Sequence, residues 1–175
     1  MCDFIMTDAE GRQLVLTTNI DRNSFDTVTC SPNMGLTVLN GLLGDFNSRD
    51  QLAEVCRTTV ERNEVCILPD DFHPEWRILL TPNVSARGEA GRDEACRLMV
   101  DLFTAWKSLG KDYKTLLITH FGCVRDYPES HIVGIFSALE KLRQRSFCNL
   151  KVLGFEIAPQ HKQRFDEHAR AVLSI

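Results

Sequence analysis

Thr115-Leu116-Leu117-Ile118-Thr119-His120-Phe121-Gly122-Cys123-Val124-Arg125-Asp126-Tyr127-Pro128-Glu129 decides how the rest of the chain reads. Its apolar, β-prone run, Leu116 to Ile118, fits a strand buried on both faces. A short polar loop with one glycine, Gly122, follows. Asp126, Pro128 and Glu129 then supply the signals of a helix N-terminus. A strand, a tight loop and a helix start form the layout that gathers backbone N–H groups around an anion. The same layout serves ordinary strand-to-helix connections, and this stretch alone leaves both readings open.

Outward from it, the pattern alternates. Before it, Ala95, Leu98/Met99, Leu102/Phe103, Trp106 and Leu109 recur at helical spacing and predict a helix from Glu89 to Leu109, with Gly110 as its stop. After it come a helix from Pro128 to Arg145, a strand over Leu150–Ile157 and a final helix from Gln160 to Val172. The first half is rich in strands. Phe4–Met6 and Gln13–Thr18 flank the turn Asp8-Ala9-Glu10-Gly11 and predict a hairpin. Phe25–Cys30 reads as a third strand, ended by Pro32, which cannot continue a ladder. Ser48 is placed to cap a helix over Arg49–Arg62, and Val65–Leu68 and Trp76–Thr81 are short strands around the Pro69–Pro74 loop. Met34–Phe46, with Gly35, Gly41 and Gly44, reads as a short helix or a glycine-bearing loop. Strands first and a helix–strand alternation later imply one α/β domain over residues 1–175, with a mixed sheet and helices on both sides.

Composition bounds the function. With 43% hydrophobic and 25% charged residues the chain is that of a folded soluble protein, and a formal net charge of -4 gives no general affinity for nucleic acid, although a local basic patch is compatible with it. The seven cysteines are odd in number and scattered without CxxC spacing, which argues against a zinc site and a secreted disulfide framework. No metal or cofactor is expected. Met1–Met6 lacks the pattern of a signal peptide, and no apolar run approaches the roughly 18 residues of a membrane span. The expected location is cytoplasmic or nuclear.

The element order, with several short motifs, resembles the macro domain, the ADP-ribose-binding module, from about Leu14 to the end of the chain. Thr18-Asn19-Ile20 stands where the family has Gly-Asp-Ile. Phe25–Asn33 resembles the strand that runs into the family's Asn-Ala-Ala-Asn, keeping only Asn33. Thr115–Pro128 resembles the strand and phosphate loop ending in Tyr-Pro, and Val152–Ile157 the last strand. The resemblance implies a macro-like three-layer α/β/α fold with a mixed six- or seven-stranded sheet. It implies that ADP-ribose, free or on a modified protein, lies across the strand carboxyl ends. Asn19 and Ile20 would then meet the adenine. Gly122, Cys123, Val124 and Arg125, flanked by His120 and Phe121, would line the diphosphate. Asn33 and the segment bearing Gly35, Gly41 and Gly44 would meet the distal ribose, and Phe155 on the last strand would also contact ligand. For hydrolysis, Asn33 and Asp45 are the expected catalytic groups. Asn19 replaces an aspartate, but its carbonyl still accepts a hydrogen bond. The family's glycine triplet is absent here, and Met34–Gly41 stands in its place.

Two other readings belong beside this one. A macro-like scaffold without ligand would act through a protein partner. A cysteine-dependent hydrolase would use Cys123, activated near a helix N-terminus, with His120. Arg125 is placed either to clamp a phosphate or to pair with Asp126 or Glu129 on the surface.

Overall fold

The computed structural model describes residues 3–30, 49–70, 75–82, 84, 86–119 and 129–173. Seven strands form one sheet: β1 (Phe4–Thr7), β2 (Gln13–Thr17), β3 (Thr27–Cys30), β4 (Cys66–Ile67), β5 (Arg77–Leu80), β6 (Thr115–Thr119) and β7 (Val152–Glu156), in the order β1-β2-β7-β6-β3-β5-β4. The pairings from β2 through β7, β6 and β3 to β5 are parallel, and only the outer strands β1 and β4 run antiparallel to their neighbours. The mixed α/β architecture is thus as expected, with seven strands. The described helices are α1 (Arg49–Arg62), α2 (Gly88–Lys107), α3 (Glu129–Arg143) and α4 (Pro159–Leu173). None of them is long and apolar enough to cross a membrane.

Side-chain alternation sorts the sheet into two faces. Leu14, Leu16, Leu79, Leu116, Ile118, Leu153 and Phe155 point to one, where α2, α3 and α4 cover them with Leu102, Trp106, Ile135, Phe136, Phe165 and others in the larger core cluster. Val28, Ile78, Leu80 and Leu117 point to the other, where Phe25, Leu68, Ile20 and Trp76 join them. Connection handedness explains this division. From β5 to β6 and from β6 to β7 the chain steps toward β1, and α2 and α3 lie on the same face. From β2 to β3 it steps the opposite way, and the connecting residues Ile20 and Phe25 pack on the other face. Right-handed crossovers require this arrangement, and the same rule assigns α1, between β3 and β5, to the second face.

Boundary differences have local causes. The third strand starts at Thr27 rather than Phe25 because Arg22–Ser24 forms a single 3-10 turn, with the Asp21 carboxylate accepting from the Asn23 N–H at 3.1 Å. α2 stops at Lys107, short of Leu109. The Ser108 hydroxyl donates to the Ala105 carbonyl at 2.6 Å, and Gly110 leaves the helix with a positive φ of 105° that favours glycine. Close approach of α2 and α3 also depends on glycine: a Cβ on Gly134 would overlap the Arg92 carbonyl and crowd the Ala95 side chain. Ser48 and the Met34–Phe46 segment lie outside the described residues, as does most of the Pro69–Pro74 loop.

Candidate functional site

β3 is followed in the sequence by β4 and β5 on one side of it and the adjacent β6 by β7 on the other, so the strand order reverses between them and a topological switch point lies at their carboxyl ends. Open α/β sheets bind ligands at such points. At this place the buried Thr119 hydroxyl donates to the Thr29 carbonyl at 2.6 Å, tying the last residue of β6 to β3. Thr29 itself is buried, and its own hydroxyl has no partner among the described residues.

The helix that follows is fixed on two sides. In its first turn, the Nε2 of buried His131 lies 3.1 Å from the Ala86 carbonyl at the entry to α2, so Nε2 is the nitrogen that donates. Glu129, its first residue, meets His168 of α4 at 3.2 Å. Segment 120–128 is therefore joined at both ends to anchored residues, Thr119 before it and Glu129 after it. The amino end of α3, with its partial positive charge, starts where the segment finishes.

At the neighbouring ends of β2 and β7, the Thr17 hydroxyl accepts from the Asn19 N–H at 3.1 Å and turns the chain out of β2. Asn19 is exposed, and its carboxamide has no partner among the described residues. Ile20 is half-buried and turns back to the sheet beside Phe25. Both rest on Gly154 of β7, where a Cβ would come within 2.5 Å of Phe25 and 2.9 Å of Ile20. Arg22 then reaches the end of β7 and grips Glu156 with two bonds, Nε–Oε2 at 2.8 Å and Nη2–Oε1 at 2.6 Å. The hydrogen bond to Glu156 raises the pKa of Arg22 against the opposing effect of burial, and the carboxylate charge adds to the rise. Lys162 Nζ approaches the Thr18 carbonyl at 3.5 Å. Residues 19–25 thus form a strap held across β7 by an apolar contact and an ion pair.

Solved structures share this architecture. A mutant Oceanobacillus iheyensis macrodomain with ADPR matches over 99% of this chain and 100% of its own, at a TM-score of 0.70 and 11% sequence identity. The fold here is that of a macrodomain. The macrodomain of the same organism with ADP matches over 99% of this chain and 97% of its own, at 0.67 and 11% identity. The IBV X-domain covers 84% of this chain and 86% of its own, at 0.51 and 13%. No protein-family model and no curated protein matches the sequence.

Within this macrodomain frame, Asn19 and Ile20 stand at the carboxyl end of β2, and β3 and β6 end side by side. Asn33, Gly35, Gly41, Gly44, Asp45, His120, Phe121, Gly122, Cys123, Val124 and Arg125 lie outside the described residues. Phe155 is placed differently from expectation. It is fully buried, with its ring centroid 4.9 Å from that of Phe165. Alternation along β7 points it with Leu153 into the helix-covered core, while Gly154 takes the opposite face. Phe155 is a core residue. The sequence reading missed the Arg22–Glu156 pair, because its partners are 134 positions apart. The one available signal was a charged residue, Glu156, inside an otherwise apolar strand.

Proposed function

We propose that the carboxyl edge of the sheet binds ADP-ribose or a closely related nucleoside diphosphate. The observation that carries this reading is the switch point between β3 and β6, with a helix N-terminus anchored just beyond it by His131 and Glu129. Solved macrodomains of the same architecture with ADPR and with ADP support it. In this reading segment 120–128, including Gly122 and Arg125, holds the diphosphate through backbone N–H groups. Asn19 accepts from the base, and the strap closed by Arg22 and Glu156 keeps Asn19 in place. Asn33 and the segment after it meet the distal ribose.

Isothermal calorimetry with ADP-ribose tests the binding, with thermal melting alongside. Saturable heat and a melting point that rises with ligand concentration are expected. No heat and no stabilisation at millimolar ligand would remove the proposal. Release of ADP-ribose from modified protein is the further step of this reading. It assigns Asn33 and Asp45 to a water held between the distal ribose and the diphosphate. Asn33→Ala and Asp45→Ala should then reduce release from an ADP-ribosylated protein by a larger factor than they weaken ADP-ribose binding; release unaffected by both would take the assignment away.

A further inference from the structure

A cavity of about 410 Å³ opens between α2 and α3, on the helical side of the molecule and away from the strand carboxyl ends. That volume falls in the range of sites that take a ligand or a few side chains. Its apolar wall is made by Cys96, Val100 and Leu142, and Arg97, Lys141 and Arg145 stand around it. The two carboxylates of the lining already face arginines of α2: Asp101 lies 3.0 Å from Arg97, and Asp93 lies 3.4 Å from Arg92. Lys141 and Arg145 are exposed and have no ion-pair partner among the described residues. Arg92 also meets Glu89 at 3.3 Å, so the lining, with three cations to two carboxylates, is apolar within and carries a small local excess of positive charge centred on Lys141 and Arg145, in a protein whose net charge is -4.

We infer that this groove docks an acidic peptide segment, with one apolar side chain seated on Val100 and Leu142 and flanking carboxylates on Lys141 and Arg145. One observation favours a peptide over nucleic acid: the lining holds no aromatic ring on which a base could stack. An apolar anchor in a groove with charges around it is also the usual division of labour in peptide recognition.

Fluorescence anisotropy tests this with a short dye-labelled peptide carrying glutamates and aspartates on both sides of a central leucine. Saturable binding is expected, weakened about tenfold or more, a loss of ~1.4 kcal/mol, by the pair Lys141→Glu and Arg145→Glu. Val100→Trp, which fills the groove without changing its charge, should weaken binding likewise. Both rim residues are exposed, so an unchanged melting temperature confirms that the variants fold. The inference is overturned by absence of saturable binding, or by equal affinity for the peptide with its leucine replaced by serine. It is also overturned if an oligothymidylate displaces the peptide while Val100→Trp has no effect, which would mark a general polyanion surface.

Discussion

The hydroxyl of Thr119 donates to the carbonyl of Thr29 across the carboxyl ends of β6 and β3, a 2.6 Å bond buried at the place where the strand order of the sheet reverses. Thr119→Val keeps the shape of the side chain and removes the donor. We expect a loss of about 1 kcal/mol, the usual net worth of such a bond, read from urea unfolding. A valine variant as stable as the parent protein would show that the bond contributes nothing.

Arg22 and Glu156 join the strap to β7, with side chains 42% and 25% exposed. An ion pair this open to water contributes about 1 kcal/mol or less to global stability. Arg22→Gln and Glu156→Gln should therefore melt close to the parent protein, and a double-mutant cycle should show coupling that shrinks at high salt. Their larger expected effect is on ADP-ribose affinity, because the strap carries Asn19. Calorimetry showing unchanged affinity in both variants would separate the strap from the site.

Gly154 leaves room for Phe25 and Ile20 to lie directly on the sheet. Gly154→Ala forces them away and should cost about 1–3 kcal/mol, the usual penalty for overpacking. Adding Phe25→Leu should return part of that loss, since the Phe25 ring is the nearest atom group. A double variant that is as unstable as the sum of the two single ones would contradict this contact.

Asp8 gives a pH dependence with a definite sign. Burial alone would push its pKa up, but the backbone N–H groups of Phe147, Arg12 and Glu10 outweigh that, with Arg12's charge adding to them, and hold it below its ordinary 3.8. Its contribution is complete above the unfolded-state pKa and disappears as pH falls through the lower folded-state value. Asp8→Asn should lower stability at neutral pH by roughly 1–3 kcal/mol, and its stability should fall less steeply below pH 4 than that of the parent. Parallel acid limbs for the two proteins would rule out this role.

The elements that sequence periodicity reveals best are those with long one-sided patterns. Ala95 through Trp106 marks α2, and the Asp8–Gly11 turn marks the first hairpin, because both depend on local spacing and local turn chemistry. The helix over Arg49–Arg62 even ends at the expected residue, Arg62. Strand order was legible only through resemblance, since a period of two does not say which strand lies beside which. Asn19 was found at the edge because it sits in a short motif. Phe155 was misplaced because its direction follows from the pleat and from Phe165, a residue on a later helix. Arg22–Glu156 was missed for the same reason: its partners meet only when the first and last parallel strands do.

The last strand in the sequence lies in the middle of the sheet. β7 sits between β2 and β6, and its insertion joins the β1–β2 hairpin to the β6-β3-β5-β4 group. During synthesis, then, residues up to about 150 can form two partial sheets, each with an unpaired parallel edge, and neither edge is sealed until Val152–Glu156 emerges. Such open edges invite pairing with other chains. The sheet's exposure to aggregation thus lasts until β7 is in place, and closing it depends on a single five-residue strand.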